Sequence, residues 1–196
     1  MSGETKNRGT GAGGAQTNKS GKKLENRVRN IYTIKMKIMK VIRGGKKRAF
    51  NLLHIKIRNK ILIRAAETAF KLFDQEYKKR RGETWDSEAW KNQTLGGTQE
   101  PDDAYIDEKN KVLYWLECKV QNGTGSVNEK LQTYNQKIRN LRERYPDYQI
   151  KYIYVLDKNF RNLSPTEIKY MKEDGIAIIW DDDEHFEDSL LAAIGV

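Results

Sequence analysis

The residues from Lys111 to Gln121 leave the chain few choices. Alternate residues of a strand point to opposite sides of a sheet. Here one set, Val112, Tyr114, Leu116, Cys118 and Val120, is wholly apolar. The other set begins apolar, with Leu113 and Trp115, and then becomes Glu117, Lys119 and Gln121. Such a segment, rich in β-branched and aromatic residues, is a strand. A carboxylate, an ammonium and an amide emerge in a row beyond its buried half. Upstream, Pro101-Asp102-Asp103 precedes a short strand, Ala104 to Ile106, and a polar turn at Asp107 to Asn110 joins the two strands. This hairpin brings Asp102 or Asp103 close to Glu117 and Lys119. Register decides which one, because a one-residue shift exchanges the faces.

The residues after the hairpin fix the fold class. Asn122 to Ser126 is a flexible turn, and Ser126 with Glu129 forms a capping-box pattern. Val127, Leu131, Tyr134, Ile138, Leu141 and Tyr145 then recur at helical spacing as one buried stripe, and Pro146 stops the helix. Ile150 to Leu156 is a strand. Ser164-Pro165-Thr166-Glu167 opens a further helix that Gly175 ends. Ile176 to Trp180 is a strand, and residues 186–194 form a last short helix. From residue 101 onward the order is strand, strand, helix, strand, helix, strand, helix. This is an α/β core with a mixed β-sheet flanked by helices.

The first half is of another character. Residues 1–100 hold 24 Lys and Arg against 9 Asp and Glu, whereas residues 101–196 hold 13 against 18. A basic half joined to an acidic half with a carboxylate cluster suits a polyanionic substrate; the plainer account is a solvated surface with a basic tail. Residues 1–22 are a Gly-, Thr-, Ser- and Lys-rich tail with almost nothing to bury and are expected to be disordered or loosely ordered. Residues 23–196 then form a single domain. Its 23–91 part is a basic, mainly helical region, and its 92–196 part is the α/β core. Leu24, Val28, Ile31 and Tyr32 fit one helical face, whereas Ile34 to Ile42 wavers between helical and alternating patterns and 46–63 shows no clear period. Ala65 to Lys79 reads as helix, with Gly82 at its end. Trp85 and Trp90 read as packing anchors rather than as a platform for a base. No apolar run reaches the ~18 residues of a membrane span, and the N-terminus lacks a signal-peptide pattern. The expected setting is cytoplasmic. Cys118, the one cysteine, excludes an intramolecular disulfide and a Cys-based zinc site, and its apolar face makes it a packing residue.

Two carboxylates and a lysine at one strand end suit phosphodiester hydrolysis, which needs a positioned, activated water and positive charge beside the phosphate. Oxygen ligands favour magnesium, with manganese as a substitute, over zinc. A Glu-x-Lys tripeptide alone describes many surface ion pairs; the preceding Pro-Asp and the helix beyond it raise its specificity. Together, Pro101-Asp102, Glu117-Cys118-Lys119 and the strand–helix–strand after them resemble the PD-(D/E)XK nuclease superfamily, the core of most type II restriction endonucleases. Residues 11–25, 101–108 and 125–133, with Tyr152 to Leu156 and Ile178 to Trp180, resemble restriction-endonuclease-like proteins of bacteria and large DNA viruses.

The resemblance implies a restriction-endonuclease-like core with a basic N-terminal extension. It implies that Asp102 and Glu117 hold Mg2+, that the main-chain carbonyl of Cys118 completes the coordination, and that Lys119 acts on the attacking water. Asp103 is the rival of Asp102. Gln121 and Lys130 would be accessory contacts, Lys130 being aided by the helix N-terminus. The family's further glutamate, on the first core helix, corresponds to Glu25 by motif or to Glu67 by helical context. The strand expected just before Asp102 is not visible, since Asn92 to Thr98 is too polar and Gly-rich. Asp181 to His185 reads as an exposed loop, and His54 as structural or exposed. The implied activity is a metal-dependent endonuclease cutting double-stranded DNA, of the sequence-specific type II kind, as a homodimer with no membrane association. The alternatives are a structure-specific or repair nuclease of the same core and an inactive, basic nucleic-acid-binding protein.

Overall fold

The computed structural model describes residues 12–44, 51–93, 99–121 and 131–196, with side chains from Lys19 onward. Its centre is a seven-stranded sheet in strand order β1-β2-β3-β4-β5-β6-β7. The strands are β1 (Met36–Arg43), β2 (Asn51–Ile57), β3 (Lys60–Arg64), β4 (Asp103–Asp107), β5 (Val112–Lys119), β6 (Gln149–Leu156) and β7 (Ala177–Trp180). Neighbours from β1 to β5 pair antiparallel, and β6 and β7 add in parallel. The sheet is therefore mixed, as expected, and helices flank it.

The two faces of β5 are those its alternation requires. Leu113 and Trp115 join a core with Phe70, Phe73, Tyr134, Ile138, Leu141 and Tyr152. This core is covered by α2 (Phe70–Arg80), α3 (Ser87–Lys91), α4 (Tyr134–Arg144), α5 (Phe160–Leu163) and α6 (Pro165–Glu173). Tyr114, Leu116 and Cys118 join a second core with Leu24, Val28 and Tyr32 of α1 (Ala12–Lys35) and Leu190 and Leu191 of α7 (Phe186–Ala193). The α4 stripe from Leu131 to Tyr145 is buried as its spacing demands. Ser126, Val127 and Glu129 of the capping-box reading lie outside the described residues.

The N-terminal half departs from its expectation. Helices outweigh strands among the described residues of 23–91, yet this part also supplies β1, β2 and β3, which extend the same sheet, so no boundary divides it from the α/β core. The wavering segment from Ile34 splits, with α1 ending at Lys35 and a strand beginning at Met36. Pairing with β2 decides the matter, because strand preference depends strongly on neighbours. The strand that precedes β4 in the sheet is β3, separated from Asp102 by α2 and α3 and paired to β4 through Ile63–Ile106 and Arg64–Tyr105; residues 94–98, where no strand was visible in the sequence, lie outside the described residues. Helix α1 begins at Ala12, inside the stretch expected to be loosely ordered. Once Leu24, Val28 and Tyr32 anchor a helix, adding a residue costs far less than nucleation. The segment 65–79 is helical only from Phe70, after a 3-10 turn at Glu67–Ala69. Trp85 and Trp90 pack with ring centroids 6.3 Å apart, in keeping with the anchor reading.

One buried ion pair fixes the register of β4. Arg64 Nε donates to Asp103 Oδ1 and Oδ2 at 3.1 and 3.0 Å, and Nη2 donates to Oδ2 at 2.7 Å. Tyr105 Oη donates to the same carboxylate at 3.1 Å. Bidentate geometry and a further donor are what a buried pair needs to offset its desolvation. Asp103→Ala, which strands the Arg64 charge, should cost about 3–5 kcal/mol, read as the shift in urea-unfolding free energy. A stability equal to the native protein's would contradict this role.

Candidate active site

β5 and the start of β4 bring the expected residues together at one end of two inner strands of the sheet. Because β4 alternates, Asp103 and Tyr105 turn toward the α1 side while Ala104 and Ile106 join the core under α2 and α4. Asp102 belongs to this latter face, together with Glu117 and Lys119. Its Oδ2 accepts a 2.7 Å hydrogen bond from the Cys118 main-chain N–H, and its own N–H donates to Leu116 O at 3.1 Å. Its Oδ1 accepts no hydrogen bond among the described residues. Asp103 is held by Arg64 and Tyr105, which resolves the rivalry: Asp102 is the aspartate at the cluster.

Glu117 is the centre of charge. Only 4% exposed, it receives Lys137 Nζ at 2.7 and 2.9 Å, Lys119 Nζ at 3.0 Å and the Tyr152 hydroxyl. Burial pushes its pKa up, but Lys119, Lys137 and Tyr152 outweigh burial and hold it at about 2. Asp102 differs. Burial pushes its carboxyl above the ordinary value, and the Lys119 charge and the Cys118 N–H only partly oppose this. For Lys119, burial disfavours the ammonium, yet Glu117 and Asp102 together raise its pKa above the ordinary value. The pair is thus an anionic Glu117 and a cationic Lys119, with Asp102 alongside.

Lys137 and Tyr152 were not visible as site residues in the sequence. Tyr152 stands opposite Trp115 in the parallel β5–β6 pairing, two residues before the partner of Glu117. Lys137 precedes the stripe residue Ile138 by one position, on the flank of α4. Only the two strand–helix registers together reveal it.

The remaining candidates separate. Glu25 lies on α1 and Glu67 in the 3-10 turn, and both belong to a cationic cluster rather than to the carboxylate pair. Lys22 bonds Glu25 at 3.0 Å and Glu67 at 3.2 Å, and Arg29 bonds Glu67. Arg29 also donates to the Asp102 carbonyl at 3.2 Å. The Glu67 backbone has φ 46°, unusual for a non-glycine residue, and its N–H donates to Pro101 O at 3.0 Å. The motif candidate therefore sits on the long helix, and the helical-context candidate does not sit on a regular helix. Glu25 is near enough to help raise the Asp102 pKa. Gln121 is buried; its N–H donates to Asp157 Oδ2 at 2.7 Å, and its carbonyl accepts from Asn159 at 2.8 Å. Lys130 lies outside the described residues. The Cys118 thiol is buried and its pKa is driven up by burial, in keeping with packing. Asp181 to His185 is a turn whose Asp182 pairs with Arg161 at 2.7 Å. Among the described residues, no group of three or more His, Cys, Asp or Glu side chains is arranged to hold a metal ion, and no helix is long and apolar enough to cross a membrane.

Two carboxylates do meet, and with main-chain oxygen they form a hard donor set of the kind that suits magnesium. Asp102 Oδ1 has no donor among the described residues. Both Glu117 oxygens already carry ammonium groups, so a cation would enter in exchange for one of them. No protein-family model, curated protein or solved structure matches the chain.

The depressed Glu117 pKa carries a sign. Stability from a lowered carboxylate pKa is complete above the unfolded value, near 4.5, and is lost as pH falls toward about 2. In metal-free solution the gap in urea midpoint between the native protein and Glu117→Gln should be full at pH 6 and shrink steadily below pH 4.5. A gap independent of pH would contradict the ion-paired state of Glu117.

Proposed function

We propose that the chain is a metal-dependent endodeoxyribonuclease with a restriction-endonuclease-like core, acting on double-stranded DNA as a homodimer of the type II restriction kind. The observation that carries this is the meeting of Asp102, Glu117 and Lys119 at one end of one sheet face, with Asp103 turned away into a structural pair. Cutting both strands of a symmetric site suits two-fold symmetry.

Asp102 and Glu117, with the Cys118 carbonyl, would hold Mg2+, or Mn2+ in its place. When bound, the ion supplies a Lewis acid for the scissile phosphate and a lowered pKa for water. The chain's own groups do the rest. Lys119, 24% exposed at its side chain, reaches solvent beside both carboxylates and can orient a water toward phosphorus. Its ammonium also counters charge that develops on the phosphoryl oxygens. Lys137, similarly placed on α4, offers a second cation to the same region. The Cys118 N–H fixes the Asp102 carboxylate, and Arg29 fixes the backbone that carries it.

Supercoiled plasmid incubated with magnesium should be cut by the native protein. Lys119→Ala and Asp102→Ala should each cut at least about 100-fold more slowly, with circular dichroism unchanged. Equal rates in native protein and Lys119→Ala would remove the assignment. A second reading, a basic nucleic-acid-binding protein without cleavage, draws on the ammonium groups that already neutralise Glu117. It predicts salt-sensitive binding and no cutting by any form.

A further inference from the structure

From Asn26 to Ala66 the chain contains no Asp or Glu but has seven Lys and six Arg. Its strands form one end of the sheet, and β1 is the edge, paired only with β2 among the described residues. Most of β1 is solvent-exposed: Lys37, Ile38, Met39, Lys40, Val41 and Arg43 all are. Strand register sorts its side chains. Met36, Ile38 and Val41 stand opposite Ile57, Ile55 and Leu53, on the α1 face of the sheet. Lys37 and Lys40 stand opposite Lys56 and His54, on the other face, which is the face that carries Glu117 and Lys119.

Lys37 and Lys56 are therefore a directly opposed, like-charged cross-strand pair, an arrangement that destabilises a bare sheet. Neither they nor Lys40 form an ion pair with any described residue. Lysines on an edge strand also discourage unwanted strand pairing, which accounts for Lys37 and Lys40. It does not account for Lys56, on the inner strand. A second copy paired along β1 would bring cations against cations, and a bulge between Ile38 and Lys40 interrupts the ladder such pairing needs. An extended polyanion relieves the repulsion instead.

We propose that the Lys37–Lys40–Lys56 face of the β1–β2 ribbon is a contact surface for the phosphate backbone of double-stranded DNA. The choice of duplex rests on the nuclease reading. β1 lies four strand spacings from β5, roughly 19 Å, and the Lys37–Lys56 pair is level with Lys111, about 20 Å along the strands from Glu117, so pair and cluster stand ~28 Å apart, or about eight base pairs of duplex at ~3.4 Å each. A duplex seated at the catalytic cluster is thus long enough to lie over the ribbon. These contacts position the duplex without reading its sequence.

The test measures binding of a labelled duplex of about 30 base pairs by fluorescence anisotropy across a salt series, in EDTA so that cleavage plays no part. Variant K37Q/K40Q/K56Q should bind about tenfold or more weakly near 100 mM salt. Its slope of log K against log salt should be shallower by about 2–3, at ~0.9 per lost phosphate contact. The triple Lys→Arg variant should keep the native slope, and circular dichroism should be the same for all three proteins. An unchanged affinity and slope in the Gln variant overturns the proposal. So does a loss that appears only because a native dimer becomes a monomer in sedimentation, which would make the face a contact between copies. Failure of the nuclease reading has a separate signature: a shallower slope in the Gln variant with no magnesium-dependent cutting by the native protein.

Discussion

Burial of the Glu117 carboxylate is the constraint around which the site is assembled. Removing a carboxylate from water is costly unless cations and hydrogen-bond donors surround it. Each group that meets this cost comes from a different element: Lys119 from the same strand, Lys137 from α4, Tyr152 from β6. Docking of the crossover helix and pairing of the parallel strand are thereby tied to one charge. Asp102 is placed by a separate device, the Cys118 N–H, which links the start of β4 to the end of β5. The two carboxylates consequently differ. Glu117 is held anionic by ammonium groups, whereas burial makes Asp102 easier to protonate.

The second fixed point is the Arg64–Asp103 pair. It sits on the opposite side of the sheet from Glu117 and locks β4 in the register that leaves Asp102 on the Glu117 side. A slip of one residue would present Asp103 instead and would leave Arg64 buried without a partner. Arg29 reinforces the arrangement from α1 by joining Glu67 and the Asp102 carbonyl. Glu25 and Glu67 thus help to position the Pro-Asp segment through Lys22 and Arg29.

Much of the second half of the fold was legible because its signals are local and agree with one another. Alternation in β5, the stripe of α4, Pro165 at the start of α6 and Gly175 at its end, with φ 74°, each specify an element without tertiary help. The meeting of one aspartate of Pro101-Asp102-Asp103 with Glu117 and Lys119 was legible for the same reason, since a hairpin sets their proximity. The choice between Asp102 and Asp103 was not, because it depends on Arg64, 39 residues before Asp103 and on a strand with no clear period. Strands β1 to β3 escaped for a related reason. Their lysines interrupt both helical and alternating patterns, and only pairing within the sheet identifies them. Lys137 and Tyr152 needed the helix-to-sheet register, which no single stretch encodes.

The claim that Asp102 and Glu117 form a cation site can be measured apart from any cleavage. Manganese(II) titrated into the native protein and into Asp102→Asn, followed by the loss of the free-ion electron paramagnetic resonance signal, reports binding directly. The native chain should bind saturably, with binding at least about tenfold weaker in Asp102→Asn and far less affected in Asp103→Asn. Equal binding by the native protein and Asp102→Asn, or none by the native protein, would contradict the cation site.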